Sequence, residues 1–429
     1  MELAFYTLRG IAGAIVNPGL MIVLIFLGII LYFKNKNLVM MQILILGDNI
    51  NTPLELTLSQ IVLGILAGAI GSVILSILGI RFWENSGIIY LFMISIILMF
   101  VKPRFICFSY SGAILGAISI VISLLSNVFP SLKNTTIFNI DIVYLMTFIG
   151  VLHIVEGFLV MIDGDRGSIP IFSNKNGKII GGFSLNRYWI LSVAILVLAL
   201  SNNDTSNYIA TTISTPKGWP FISGNLTNNL LALSTISIMP LYAVTGYSAI
   251  TFTKSKKEKA IHSGISILFY GICLTLIAQA ARFGLVFEIV VIIFTPFAHE
   301  MMLKIQRDNE NKQEPKFMSD EEGLVVLEVV PRGVAYNLGI KPGSKLISVN
   351  NSVVNSEADV LIILKENLYN VTFKIKDLTG IIREIKVKTS KGKRLGMLLV
   401  PRTIKEQDKI CIKENKFSNI LNSAKEKHQ

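Results

Sequence analysis

Long apolar runs separated by short polar stretches fill the first three hundred residues of the chain. A helix that crosses a bilayer needs about 20 mainly apolar residues, and fewer when it is packed inside protein. The pattern therefore predicts about nine membrane spans, of which the third, sixth and ninth are short enough to be re-entrant or buried. The spans are residues 11–33, 58–80, 87–101, 105–128, 140–162, 188–200, 230–252, 264–281 and 283–297. A shorter apolar stretch, 38–46, is predicted to lie at the membrane interface.

The chain from residue 304 onward follows a different pattern. Residues 304–319 are polar and charged without an apolar period, which predicts a linker. Ser356 and Asp359 have the spacing of a helix-capping pair, and Thr379 with Gly380 suits a hairpin turn. Short runs predict a compact domain at 320–400, with strands at 323–330, 345–349, 371–376, 383–388 and 395–400 and helices at 334–338 and 356–364. A polar tail, 401–429, follows.

The predicted fold class is thus a polytopic α-helical membrane bundle, residues 1–303, followed by a small α+β domain. Composition agrees and excludes an ordinary soluble enzyme, because 52% of the 429 residues are hydrophobic, only 16% are charged, and the mean hydropathy is +0.60. The three cysteines form no Cys-x-x-Cys pair, so neither a disulfide framework nor a bound cofactor is predicted.

The distribution of basic residues predicts an orientation. With the C-terminus inside, the inner loops carry twelve Lys and Arg residues and the outer loops five. Since Lys and Arg accumulate on the cytoplasmic side, we expect an odd number of spans, an outside N-terminus and a cytoplasmic C-terminal domain in a plasma membrane. The net charge of +12 reflects this topology and the anionic inner leaflet of the lipid bilayer. No basic patch interleaved with aromatic residues is present, so nucleic acid is not a predicted partner.

Ionisable residues inside the apolar runs are the candidates for chemistry. His153 and Glu156 lie one helical turn apart, but two ligands are too few for zinc. The pair is interpreted as polar side chains that hold helices together, with Asp141 as a candidate partner. Glu288 is interpreted in the same way. No metal site is predicted.

The sequence lacks the complete patterns of membrane zinc proteases and of serine proteases. His299 and Glu300 begin a His-Glu-x-x-His motif, but Leu303 stands where the second histidine is required. Asp163 and Gly164 resemble a ligand segment of membrane zinc proteases, yet they precede the motif instead of following it. A Ser-His-Asp triad would need a globular domain, which the apolar block does not provide. We therefore expect no enzymatic activity.

Glycine and proline positions leave two questions open. Gly64 with Gly68, and Gly112 with Gly116, have the four-residue spacing that lets helices approach closely, within this bundle or across a homodimer. Proline interruptions at Pro18, Pro240 and Pro296 keep a membrane transporter with a regulatory domain as an alternative function.

The string from Gly323 to Asn350 resembles a PDZ domain of the bacterial type, with Ser344 where an acid is usual and Asn351 in place of a glycine. PDZ domains bind a peptide as an added strand beside a helix and capture its C-terminal carboxylate with backbone N–H groups. The resemblance, with a permuted strand order, implies a capture loop at Arg394, Leu395, Gly396 and Met397. It implies pocket walls at Val360, Ile363 and Leu364. The alternative is that 395–400 is only a core strand.

A second resemblance concerns the segment between two predicted spans. Its residues resemble the cytoplasmic loop of MinJ, a bacterial cell-division topological determinant that pairs membrane spans with a C-terminal PDZ domain. The residues that carry it are Asp163, Asp165, Arg166, Pro170, Gly181, Gly182, Phe183, Arg187 and Trp189. The resemblance implies a scaffold at septa and poles that bridges DivIVA-like and MinD-like division proteins. A degenerate membrane-protease-like protein is a further alternative.

Overall fold

The computed structural model describes residues 1–129, 138, 140–200, 217–222, 234–366, 371–387 and 395–402. Contacts divide the chain into two units. The first, which we call the membrane unit, comprises Met1–Ile169 and Phe183–Glu314. The second, which we call the sheet unit, comprises Pro170–Gly182 and the chain from Pro315 onward.

Helices account for most of the membrane unit. They are α1 Glu2–Val16, α2 Pro18–Leu46, α3 Pro53–Leu78, α4 Tyr90–Val101, α5 Phe108–Val128, α6 Ile142–Asp163, α7 Lys256–Ile277 and α8 Leu285–Lys312. Short 3₁₀ turns, Pro103–Ile106 and Ala278–Phe283, precede α5 and follow α7. Among the described residues, six helices are long and apolar enough to cross a membrane, namely α2, α3, α5, α6, α7 with its 3₁₀ turn, and α8. The protein is therefore membrane-embedded, with six such helices where nine spans were predicted.

The first predicted span is divided by a helix cap. The side chain of Asn17 accepts hydrogen bonds from the N–H groups of Gly19 and Leu20 at 3.0 and 3.2 Å, and Pro18 opens α2. Such a cap ends one helix and starts another, so 11–33 is not one continuous span. The stretch 38–46, predicted as interfacial, is the last part of α2.

Two predicted spans, 188–200 and 230–252, are wrong as helices, because the described residues in them form strands. The strands are β1 Arg81–Trp83, β2 Ile169–Lys175, β3 Lys178–Leu200 and β4 Ser234–Thr251. The β3 strand runs antiparallel to β4 in continuous register from Phe183–Thr251 to Leu200–Ser234, and parallel to β1 at residues 196–198. From Trp189 to Leu198 every side chain of β3 is buried. Burial on both faces removes the alternation that marks a strand, so its apolar run is indistinguishable from a short helix.

Helix α3 covers the edge of β3 with a stripe of small residues. A Cβ on Gly64 would lie 2.2 Å from the carbonyl oxygen of Ile190, and a Cβ on Gly68 would lie 2.2 Å from that of Ser192. One turn further, Ser72 accepts a hydrogen bond from the N–H of Ala194 at 2.9 Å. A strand edge that faced lipid would leave backbone N–H and C=O groups without hydrogen-bond partners. Helix α3 covers this edge of β3 and keeps lipid away from it. The predicted close approach of Gly64 and Gly68 is confirmed, but it is to a strand.

Glycines also bring helices together. The backbones of α6 and α7 meet at Gly150–Gly271 and at Gly157–Gly264, where a Cβ would lie 2.6–3.0 Å from the carbonyl oxygen of the facing glycine. Gly112 lies against the side chain of Ile149 on α6, and Gly116 lies against Ile292 on α8. These glycines therefore serve packing within the chain.

The predicted linker 304–319 is corrected, because α8 continues through Lys312 and Phe317–Met318 form strand β5. Glu310 explains the extension. Its carboxylate accepts from the N–H groups of Phe252 and Thr253 at 2.8 and 2.9 Å and pairs with the Lys259 ammonium at 3.2 Å. These contacts hold the polar end of α8 against the start of α7, which a capping box of Ser255 and Glu258 opens.

The sheet unit contains a five-stranded sheet in the order β10-β6-β7-β8-β9, together with two helices. Its elements are β6 Leu324–Val329, α9 Val334–Asn337, β7 Lys345–Val349, α10 Glu357–Glu366, β8 Val371–Lys376, β9 Ile382–Val387 and β10 Met397–Leu399. The predicted capping pair is confirmed, since Asp359 N–H donates to Ser356 Oγ at 3.3 Å and Ser356 N–H donates to Asp359 Oδ2 at 3.0 Å. The predicted strands and helices of 320–400 are thus confirmed within the described residues.

An exposed ion-pair cluster joins three strands of this sheet at one end. Glu322 accepts hydrogen bonds from Lys376 and Lys345 at 3.0 and 3.1 Å, and these hold its pKa below its usual range. The stabilisation is present in full above the ordinary pKa of a glutamate and is lost as the pH falls through the lowered pKa. Because the cluster faces solvent, its contribution is small.

Candidate functional site

Three potential metal ligands meet inside the membrane unit. Cys107 precedes α5, His153 lies in α6 and His299 lies in α8. The Cys107 sulfur lies 3.0 Å from His153 Nε2 and 3.4 Å from His299 Nε2, and the three ligand atoms lie within 4.8 Å of one another. His153 and His299 are 1% and 7% exposed. We call these three residues the Cys-His-His cluster.

Hydroxyl groups surround the cluster. Ser109 Oγ lies 3.1 Å from His153 Nε2 and 3.3 Å from the Cys107 sulfur. The Tyr270 hydroxyl donates to the carbonyl of Thr295 at 2.8 Å, and it lies 2.9 Å from Ser109 Oγ. Because the tyrosine proton is already used, Ser109 donates to Tyr270.

Hydrogen bonds fix the direction in which both imidazoles face. His153 donates through Nδ1 to the carbonyl of Ile149 at 2.8 Å. The Tyr110 hydroxyl donates to the carboxylate of Glu300, so its oxygen accepts from His299 Nδ1 at 3.3 Å. A neutral imidazole carries one proton, and both Nε2 atoms therefore present lone pairs toward Cys107.

The sequence prediction for these residues is corrected in two respects. His153 contacts Cys107 and Ser109, whereas Asp141 caps α6 by accepting from the N–H of Val143 at 2.8 Å. The cluster also includes His299, which begins an incomplete local motif, and Cys107, which lies within the apolar run 105–128. Ligands 46 and 146 residues from His153 have no local spacing that a motif could detect.

Three of the residues that carry the resemblance to MinJ, namely Asp163, Arg187 and Trp189, form a second buried polar group. Asp163 Oδ2 accepts from Arg187 Nε at 3.0 Å and from Trp189 Nε1 at 2.9 Å. The Arg187 guanidinium also donates to Ser59 Oγ of α3 at 2.8 Å. Asp163 and Arg187 are 1% and 0% exposed. This group ties the end of α6 to β3 and α3, so these residues have a structural role.

Other members of that segment have simpler surroundings. Asp165 pairs with Lys257 at 3.5 Å, and exposed Arg166 lies 3.6 Å from Asp163. Gly181 packs against Leu327 and Val400 within the sheet unit, Gly182 is buried, and the buried Phe183 ring lies 5.8 Å from the Lys256 ammonium.

Positive φ angles at Asn176 and Gly177 make the β2–β3 hairpin turn. The segment predicted as a loop is thus largely a hairpin.

The predicted peptide-binding residues are divided between core and edge. Val360, Leu364, Leu395 and Met397 belong to the buried core of the sheet unit, while Ile363 is half-buried against it. Gly396 has a φ of 71°, which other residues adopt at a cost. Arg394 lies outside the described residues.

The edge of β10 has a defined hydrogen-bonding direction. Met397 is paired with Val329 of β6, and the Gly396 carbonyl accepts from the N–H of Val330 at 2.7 Å. In this antiparallel pattern the backbone groups of Met397 point away from β6, toward the outer edge of the sheet. In the described part of the chain β10 is the end strand of that sheet.

Comparison of the chain with protein-family models, with curated proteins and with solved structures finds no match. The resemblances to MinJ and to PDZ domains therefore rest on the sequence residues that carry them.

Proposed function

We propose that the protein is a membrane-anchored adaptor whose sheet unit binds partner proteins as a PDZ domain does, by adding a peptide strand to β10. The observation that carries this proposal is the outward direction of the Met397 backbone at an end strand. A strand edge of this kind offers main-chain hydrogen bonds to an extended peptide.

The surroundings of that edge support peptide binding. The Leu395 carbonyl accepts from the N–H of Ala335 at 3.0 Å, so the N–H of Gly396, on the same planar peptide, points the opposite way. The N–H groups of Gly396 and Met397 then point away from α9 and β6, and two successive N–H groups of this kind are an arrangement that binds a carboxylate. Half-buried Ile363 would contact an apolar side chain of the peptide.

The cellular role follows from the MinJ resemblance and from charge. Lys254, Lys256, Lys257 and Lys259 precede or open α7, which favours a cytoplasmic location for that end of the helix. The adaptor would then hold its sheet unit at the cytoplasmic face of a bacterial plasma membrane and recruit DivIVA-like and MinD-like proteins to septa and poles. Its role would be positional, without catalysis.

Ile363→Glu should weaken partner capture at least tenfold. A charge at this half-buried position opposes an apolar peptide side chain, and tenfold corresponds to about 1.4 kcal/mol. The probes are purified DivIVA and MinD from the host cell, and the measurement is binding to the full-length protein in lipid nanodiscs.

Ile362→Glu is the matched control, because Ile362 is 55% exposed on the same helix. It should bind as the wild type does. Equal binding by the wild type and Ile363→Glu would contradict the groove assignment, and no binding of either probe to the wild type would contradict the proposed partners. In dividing cells, a uniform membrane signal from a fluorescent fusion, with normal cell length after depletion, would contradict the division role.

A further inference from the structure

We propose that Cys107, His153 and His299 bind a zinc ion inside the membrane unit. The chain contains only four histidines and three cysteines, and two of those histidines meet one of those cysteines at a single point. Cys107 immediately precedes α5, His153 lies in α6 and His299 lies in α8, so a bound ion would join three helices.

The distances match those around tetrahedral zinc. Zn–S and Zn–N bonds of about 2.3 and 2.0 Å place a sulfur and a nitrogen ligand about 3.5 Å apart. The Cys107 sulfur lies 3.0 and 3.4 Å from the two Nε2 atoms. Small side-chain adjustments would therefore complete the coordination.

A count of protons gives an independent reason for a cation at this point. Both imidazoles use their Nδ1 protons outside the cluster, on Ile149 and Tyr110. Ser109 uses its proton on Tyr270, whose own proton is used on Thr295. One proton then remains for the sulfur and two Nε2 atoms, so the described side chains around the cluster leave one buried lone pair without a hydrogen to accept. A metal ion accepts a lone pair from the sulfur and from both Nε2 atoms at the same time.

The hydrogen bonds that His153 and His299 make through Nδ1 are of the kind that orients metal-binding histidines. Such residues usually donate a hydrogen bond from the N–H of their second ring nitrogen to a carbonyl or to another polar group, which fixes the tautomer and the ring direction. His153 donates to the Ile149 carbonyl and His299 donates to Tyr110, which Glu300 holds in turn, while Arg104 pairs with Glu300. The Nε2 atoms are thereby oriented before any ion binds.

Ser109 offers a fourth ligand beside Cys107 and His153. Its Oγ lies 3.1 Å from His153 Nε2 and 3.3 Å from the Cys107 sulfur, which are the separations expected between neighbouring ligands. With its proton directed to Tyr270, the hydroxyl oxygen keeps lone pairs for the ion. One thiolate, two imidazoles and one oxygen are a borderline-soft donor set that suits zinc and does not suit calcium or magnesium. When the ion binds, Cys107 loses its thiol proton to solvent and coordinates as a thiolate.

Cobalt titration of the untagged full-length protein in detergent micelles tests the proposal. Cobalt(II) replaces zinc and reports a sulfur ligand through a thiolate-to-cobalt charge-transfer band. We expect the band to saturate at about one cobalt per chain and to disappear when zinc is added, because the site has a single set of ligands.

The variants are Cys107→Ala and, as matched control, Cys273→Ala, whose half-buried thiol lies in α7 and does not belong to the cluster. The band should be lost in the first and kept in the second. No band in the folded wild type, or a band that persists in Cys107→Ala, would overturn the proposal. Should Cys107→Ala fail to fold, His299→Gln gives the same test with an uncharged side chain of similar reach.

Tyr110→Phe tests the orienting contact without touching a ligand. It removes the oxygen that accepts from His299, and loss of such a contact weakens metal affinity by about 10- to 100-fold. Zinc affinity is measured by competition with a chromophoric chelator. An unchanged affinity would contradict the role of Tyr110 in orienting His299.

Discussion

Replacing Asp163 by alanine should lower the free energy of unfolding of the membrane unit by about 3–5 kcal/mol, because it leaves a buried guanidinium without its counter-charge. The Arg187 side chain is 0% exposed, and Asp163 accepts both its Nε–H and the Trp189 indole N–H. Thermal unfolding of the protein in detergent micelles, followed by circular dichroism, measures the loss.

Asp165→Ala is the matched control for this prediction. Asp165 is two residues away, but its partner Lys257 is 51% exposed and lies 3.5 Å away. Exposed pairs contribute at most about 1 kcal/mol, so the control should unfold almost as the wild type does. An equal effect of the two variants would contradict the buried-pair explanation.

A double variant separates the charge from the packing. Asp163→Leu with Arg187→Met removes both charges and keeps apolar volume, and buried ion pairs replaced in this way often lose little stability. We expect the double variant to be more stable than Asp163→Ala. If the double variant were less stable than Asp163→Ala, the Asp163–Arg187 ion pair would itself stabilise the fold, beyond preventing an isolated buried charge.

Gly68→Ala should destabilise the membrane unit by about 1–3 kcal/mol or more, through overpacking against a strand. The added Cβ would lie 2.2 Å from the Ser192 carbonyl oxygen and 2.8 Å from the backbone nitrogen of the same residue. Backbone atoms of a paired strand have little freedom to move, so α3 must shift away from β3. Thermal unfolding in micelles again provides the measurement.

Gly13→Ala provides the comparison, because it makes the same substitution in α1 where nothing lies within 4 Å of the added Cβ. There the higher helix propensity of alanine should be neutral or stabilising by up to about 1 kcal/mol. If Gly68→Ala behaved like Gly13→Ala, the close contact between α3 and the edge of β3 would be disproved.

The proposed peptide-binding edge and the proposed zinc site lie in different units, so each can be disproved without the other. Ile363 and the β10 edge lie in the sheet unit, whereas the Cys-His-His cluster lies in the membrane unit. Loss of partner binding in Ile363→Glu is therefore expected without loss of the cobalt band. Loss of the band in Cys107→Ala is expected without any change in the sheet-unit fold.

Local signals in the sequence predicted the sheet unit well. The capping pair of Ser356 and Asp359 was readable because its partners are three residues apart. The β8 strand alternates buried and half-buried residues, so its period of two was visible. What the sequence could not show is that Val360 and Leu364 are core residues and that the backbone of Met397 points away from β6 at the end strand of the described sheet.

For the membrane unit, the sequence by itself determined that the chain enters a bilayer and where most of its helices lie. An apolar run of sufficient length favours a membrane-crossing helix whatever elements pack around it. Only the tertiary structure decided that 188–200 is a strand, since a segment buried on both faces loses its period. It alone brought Cys107, His153 and His299 together, and it joined Asp163 to Arg187 and Trp189. Such contacts depend on how helices and strands pack, and the spacing of residues along the chain does not encode them.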